Sequence, residues 1–432
     1  MSGKKKPALD SQAPLVRQLW THPDPEAEGL EYLLYTDAEV SRDALGKLRS
    51  DGAALMVYGT AARAETPDAF GPKLALRARH AWPQYPWTAE SRQPKTEELL
   101  ANAPWWTGLN VDQEVAALLS LATRTRVRSG GPTRRFPADG GEGAAEHIHH
   151  RAPVLPEPAT DVMLPGFAGR TFDSACTLLL PTIVTLPPDV AGVLVKAAAA
   201  YADAVWIADS DPVQGWLRLV TAVETVADFI GLEDETLEDQ FRNSYGPTAK
   251  VLEESGGPEL VKAVASTMKD KLGAGAKLWR FLKDRLPPAP AVRPPDPTRQ
   301  VNWVWDADPD DKRAGIGGIK DAVTTVYNHR SGYLHAGKPF PPALSAPPWP
   351  VRVHGAAQIP EERPPHDMLH GGGAAAVWKG KDVPMYLHTF EYIVHSALTA
   401  WWTEQITASA GGSAASAQQA EDSGPTTRSP AS

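Results

Sequence analysis

The sequence has one cysteine, Cys176, so neither a disulfide framework nor a thiolate metal cage can form within the chain. It has no basic excess: 43 Lys and Arg stand against 52 Asp and Glu, a net charge of −9. A whole-molecule positive field for gripping nucleic acid is therefore excluded, and any such contact must come from a local patch. A spanning apolar run is missing as well. The longest such stretch, Val190 to Ala208, is broken by Lys196 and Asp203. Lys4, Lys5 and Lys6 are followed by no hydrophobic segment, which argues against a secretory signal. The expectation is a soluble cytoplasmic protein without membrane contact.

What the sequence has in quantity is proline (41) and glycine (35), pointing to long loops between compact elements. Hydrophobic residues make up 42%, enough to bury a core, and 432 residues suggest two domains. The first 14 residues read as disordered, and so does the Ser/Ala/Gly/Gln-rich stretch 409–432. Residues 15–187 give a mixed signal, expected to form an α/β or loop-rich N-terminal domain of undefined role. Ala53–Tyr58 and Leu74–Arg79 suggest short strands, and Asp112–Arg124 a helix with Val115, Leu118 and Leu119 on one face. Thr177–Leu186 is apolar enough for a buried strand, although Pro181 interrupts it.

From residue 188 to 408 the pattern is strongly helical. Asp189 is expected to cap a helix reaching Ile207, and Asp211–Pro212 to open another ending at Gly231. Shorter helices are expected over Thr236–Arg242, Pro258–Lys271 and Ala276–Leu286. A linker follows with six prolines in Pro287–Pro297. Asp308 to Asp311 would start a helical region ending near Gly337, and a last helix would begin at Asp382 with Pro384 just inside it. The fold class expected is mainly α: a C-terminal helical bundle behind a poorly defined N-terminal domain.

The chemistry concentrates in Thr324–Pro341, TTVYNHRSGYLHAGKPFP, where Arg330 and His335 are spaced Arg-x4-His near a helix end. This spacing resembles the signature of the HEPN superfamily, which implies RNA as the substrate, and RNA carries its own nucleophile, the 2′-hydroxyl, beside the scissile phosphate. Its cleavage needs a group titrating near neutral pH and a cation for the developing charge. Histidine, titrating near ~6.5, suits the first role and arginine the second. Five helical residues place the two side chains roughly 140° apart, so either the helix unwinds near His335 or a second copy completes the cleft. Ser331 lies one turn before His335. Gly332 inside the helix should cost ~1 kcal/mol against alanine, which suggests close approach of a partner helix.

The Arg-x4-His motif, with the surrounding YNHRSGYLHAGKPFP, resembles the signature of the HEPN superfamily and is similar to its Apea-like branch. A second stretch, Trp216–Asp228 (WLRLVTAVETVAD), resembles that family's early helix with a glutamate, Glu224, in an apolar run. The resemblance spans roughly Pro188 to Ala408. It implies a metal-independent endoribonuclease without cofactors, with Arg330, His335, Glu224 and Ser331 at the site and a homodimer whose two motifs line one groove. It further implies a toxin or antiphage role, with an antitoxin or trigger ligand of unknown identity. The alternative is an inactive scaffold for RNA or nucleotide binding, or for dimerisation.

Additional RNA contacts are conceivable at Tyr327 and Tyr333. The basic run Arg124, Arg126, Arg128, Arg134 and Arg135, around Ser129, Gly130 and Gly131, is a second candidate. His147, His149 and His150 lack supporting ligands for a metal, and the spacing of Asp306, Asp308, Asp310 and Asp311 does not match a calcium loop.

Overall fold

Leu30, Tyr32 and Leu34 share one face of Gly29–Thr36 (β1) and are buried, and Glu31, Tyr35 and Thr36 are buried as well, so the strand is covered on both faces. In the computed structural model this strand lies between Gly71–Arg79 (β3) and Val127–Phe136 (β4), with Leu55–Gly59 (β2) at the edge beside β3. All three pairings are antiparallel, and Leu34 faces Leu74 across the β1–β3 ladder. The structure describes residues 29–40, 55–59, 70–79, 107–136, 150–159, 161–172, 178–232, 235–268, 272–290, 318–348, 350–352, 358–364 and 382–422, with a few single positions besides.

The helix α1 (Val111–Thr123) packs on the sheet and is buried on almost every side. Gln113 Oε1 accepts from the Asn110 N–H at its start, and Arg124 closes it with a left-handed φ of 53°. The helices α2 (Pro188–Ile207) and α3 (Pro212–Ile230) form an antiparallel hairpin, with α2 against α1. Then come α4 (Leu237–Ser244), α5 (Gly246–Thr267), α6 (Ala274–Lys283), α7 (Ile319–Ala336) and α8 (Leu387–Asp422). A small hairpin, Pro350–Arg352 with Gln358–Pro360, lies between α7 and α8. The chain is mainly α, with one four-stranded sheet and this hairpin among the described residues.

Residues on both sides of position 187 belong to one continuous apolar core: Leu34, Leu76, Val115 and Leu119 join Leu194, Trp216, Phe390 and Trp401. Position 187 therefore marks a change in pattern, not a gap between two cores. A small satellite cluster gathers Phe241, Ala249, Val261, Ala265 and Leu272. By length and composition α2 is the one described helix that could cross a membrane, but Leu194, Val195, Ala197 and Tyr201 are sealed within the protein core.

Polar anchors tie the layers together. Glu114, fully buried, accepts from Thr107 Oγ1 at 2.6 Å and from the Val16 N–H at 2.7 Å. Glu391 on α8, also fully buried, accepts from Arg124 Nη2 at 2.6 Å and from the Tyr201 hydroxyl at 2.6 Å. Burial alone would raise the Glu391 carboxyl, but Arg124 and the Tyr201 hydroxyl hold it below the ordinary range. Burial also pushes His388 and His395, on the same helix, down to about 4.

Several elements differ from the sequence reading. The strand expected over Thr177–Leu186 is not found in its described part: Leu180–Thr185 is a 3-10 turn, because Pro181 cannot donate to a ladder but suits a first helical turn. Asp189 is not a cap. Pro188 already occupies the first helical position, and the Asp189 carboxylate takes only the N–H of Val190. The helix expected from Pro258 does start there: Gly246–Thr267 is two helices meeting at Gly257, whose non-helical φ of 72° ends the first before Pro258 opens the second. The last helix begins at Leu387, not Asp382, because the Tyr386 N–H is drawn to the Glu362 carbonyl at 2.9 Å. It runs through Ser409 to Asp422, where a solvated tail was expected. Asp211 does cap α3, accepting from the Gln214 N–H at 3.0 Å, and Gly231 closes it at φ 72°. His147, His149, Cys176 and Asp306 to Asp311 lie outside the described residues.

Candidate functional site

The helix α7 leaves the core as it runs. Ala322, Val323 and Val326 are buried, whereas Leu334 and His335 are exposed. The half that carries Arg330 and His335 is held at a few points. His329 Nε2 donates to the Asp382 carbonyl at 2.8 Å, and burial lowers its pKa. Tyr333 meets Phe340 edge-on at 5.7 Å. At the end, Gly337 takes a left-handed φ of 62°, and its N–H reaches the Tyr333 carbonyl at 3.1 Å. The helix stays regular through His335, so the unwinding considered from the 140° separation does not occur.

On α3 the apolar stripe Trp216, Leu219, Val220, Val223 and Val226 is buried, and Trp216 Nε1 donates to the Leu344 carbonyl at 2.7 Å. Glu224 sits at the margin of that stripe and looks out toward α7. Its Oε2 receives Arg330 Nη2 at 2.7 Å, with both side chains less than a fifth exposed. Burial raises the Glu224 carboxyl, the Arg330 cation opposes that, and Asp228 one turn on adds to it. Asp228 itself is paired with Lys277 of α6 at 3.1 Å. The Nε of Arg330 is buried and has no hydrogen-bond partner, which leaves donor capacity on the guanidinium beyond the ion pair.

These groups open onto one cleft of about 1670 Å³, walled by α3, the α4–α5 junction, α6 and α7. Glu224, Arg330, Ser331 and His335 all line it, and so does Tyr327. The 140° divergence along α7 is accommodated because Arg330 lies in the half-buried floor while His335 stands exposed at the rim. The walls carry four acidic side chains (Glu224, Asp228, Glu235, Asp284) and four basic ones (Arg280, Lys283, Lys320, Arg330). The cleft therefore offers local phosphate contacts without a strong net field. Among the described residues no group of three or more His, Cys, Asp or Glu is placed to hold a metal.

Two expected contributors lie elsewhere. Tyr333 does not line the cleft and packs on Phe340. The basic run is not a Gly-rich turn but the strand β4 and its approach, and four of its five cations are held in ion pairs. Arg124 is bound to Glu391, Arg126 is buried between Asp37 and Asp209, Arg128 pairs with Asp203 and lies 4.6 Å from the Trp206 ring, and Arg134 meets Glu31 at 2.9 Å. Arg135 pairs in the β1–β4 ladder opposite Leu30. With those carboxylates already in contact, a phosphate would have to break structural ion pairs to bind there.

Other cleft residues went unnoticed in the sequence. Lys320 and Thr324 precede Tyr327 by seven and three positions, and the 3.6-residue period places them on the Arg330 face. Tyr245 and Trp279 line the cleft from the α4–α5 junction and α6, brought there by tertiary packing with no local signal.

No protein-family model, curated protein or solved structure matches this chain.

Proposed function

We propose that the protein is a metal-independent endoribonuclease of HEPN type that cleaves RNA by attack of the 2′-hydroxyl on the adjacent phosphate. The observation that carries this reading is the convergence of Arg330, Ser331, His335 and Glu224 on one open cleft from two separate helices. In this mechanism Arg330, always charged, takes the phosphate oxygens and stabilises the negative charge that builds on them. His335, at the rim, moves the proton from the 2′-hydroxyl or to the leaving 5′-oxygen. Glu224 orients Arg330 from behind. Ser331, one turn before His335, offers a hydroxyl to the same phosphate or to the imidazole. The products would be a 2′,3′-cyclic phosphate and a 5′-hydroxyl, and no step requires a metal or organic cofactor.

We further take the protein to be cytoplasmic, and the resemblance adds a homodimer in a toxin or antiphage role with an antitoxin or trigger ligand. A substrate with a 2′-O-methyl group at each position tests the chemistry. Unmodified RNA should be cut and the methylated strand should survive. Equal cleavage of both would sink the 2′-hydroxyl mechanism.

One observation favours a second reading, a non-enzymatic HEPN-like scaffold for RNA or nucleotide binding. Arg330 is already engaged by a half-buried carboxylate, as a purely structural ion pair would be.

A further inference from the structure

The cleft is larger than the roughly 300–1,000 Å³ of small-molecule pockets, at about 1670 Å³, so it suits a segment of polymer. Its charges balance, so backbone electrostatics alone cannot supply the grip. Aromatic surface is the remaining resource. Among the described residues that line the cleft, Tyr245 is the one large hydrophobic side chain counted as exposed, at 38%. Its ring is braced by Phe241, with centroids 5.5 Å apart, so little freedom remains to be lost on binding.

Tyr327 stands on a different wall, on the Arg330 face of α7. Its ring is backed by the α6 backbone at Gly275, where a Cβ would lie 3.4 Å from the ring carbons. Tyr327 and Tyr245 line the same cleft as Arg330, one from α7 and the other from the α4–α5 junction.

We propose, building on the ribonuclease reading, that the cleft takes RNA only as a single strand and that Tyr245 and Tyr327 hold an unstacked base beside the phosphate on Arg330. A base in a duplex has both faces covered by its neighbours, so it cannot stack on a side chain. An unpaired base presents a free face to any aromatic ring, whatever its sequence. Tyr245 is then a substrate-binding residue, and it acts on affinity more than on the chemical step.

The test uses the full chain carrying His335→Ala, which binds without cutting, and a short labelled oligoribonucleotide read by fluorescence anisotropy. The single strand should bind, and the same sequence as a blunt duplex should bind at least about 10-fold more weakly. Adding Tyr245→Ala or Tyr245→Leu should weaken single-strand binding by about 5- to 100-fold, and Tyr245→Phe should restore it. The leucine variant keeps apolar bulk against Phe241, so its loss of affinity reports the flat ring and not a folding defect. RNA binding undiminished by the leucine and alanine variants would overturn the platform and leave the ribonuclease reading intact, as would equal affinity for the duplex. Failure of the His335→Ala protein to bind either RNA would overturn this inference together with the reading beneath it.

Discussion

Arg330 on α7 donates to Glu224 on α3 across 2.7 Å, and this contact fixes the floor of the cleft. Removing the carboxylate leaves a largely buried guanidinium whose Nε already lacks a partner. Glu224→Ala should therefore destabilise the protein by about 1–3 kcal/mol, measured by urea denaturation. It should also slow cleavage more than it changes RNA affinity. A double-mutant cycle with Arg330→Ala would measure the coupling; a coupling near zero would show that the pair does not orient Arg330.

The same contact gives a pH dependence. Burial raises the Glu224 carboxyl above its ordinary value, so Glu224 takes up its proton at a higher pH than a free glutamate. A raised carboxyl favours the protonated form in the fold, so as pH falls the ion pair is lost before a free glutamate would titrate. An acidic limb in kcat should follow, and Glu224→Gln should remove it while lowering the plateau. A limb unchanged in Glu224→Gln would assign that titration to another group.

His388 and His395 lie at about 4, well below the ~6.5 of an unfolded histidine, because burial penalises their charged forms. Between those values the unfolded chain binds more protons than the fold does. The stability these neutral rings contribute is thus complete above ~6.5 and is lost as pH falls toward 4. Thermal melts should show Tm dropping through that window, and His388→Gln with His395→Gln should flatten the slope. A slope unaffected by the double substitution would place acid sensitivity elsewhere.

Glu391 is the counterpart of Glu224 in the core, where Arg124 and Tyr201 both donate to it. Breaking a buried ion pair from one side costs about 3–5 kcal/mol, so Glu391→Ala should be severely destabilised in calorimetry. It lies outside the cleft lining, so whatever fraction folds should keep its cleavage rate.

Two glycines should respond in opposite directions. A Cβ on Gly130 would come within 2.5 Å of the His150 ring and 2.8 Å of Tyr35, so Gly130→Ala should cost about 1–3 kcal/mol. A Cβ on Gly332 meets only the Lys338 stem at 3.5 Å, so Gly332→Ala should gain up to about 1 kcal/mol in the helix. If a partner helix approaches at Gly332, the same alanine should shift sedimentation toward monomer, and an unchanged association state would rule out that approach.

Much of the helical part was legible because its signals are local. The Asp211–Pro212 start and the Gly231 stop bracket α3, and the short helix expected from Thr236 forms over Leu237–Ser244, with the Thr236 hydroxyl accepting from the Asp239 N–H at 3.1 Å. A carboxylate in the apolar stripe at Glu224 calls for a partner, but only the resemblance, and not the stripe, pointed to the Arg330 and His335 motif. The fate of the arginine run was hidden. Arg124, Arg126 and Arg128 look free in sequence because Glu391, Asp209, Asp37 and Asp203 are distant in the chain and meet them only through packing. The strand β1 was overlooked because Tyr35 follows Leu33 and Leu34 and blurs the alternation that Leu30, Tyr32 and Leu34 keep.

The central claim is that Arg330 and His335 cut RNA by 2′-hydroxyl attack. The most direct measurement incubates purified protein with labelled tRNA and mRNA in EDTA, with His335→Ala and Arg330→Ala alongside. The account predicts cleavage that persists in EDTA, leaves 2′,3′-cyclic phosphate ends, and falls by at least about 100-fold in each variant. Cleavage of equal rate in wild type and His335→Ala, or cleavage abolished by EDTA, would contradict it.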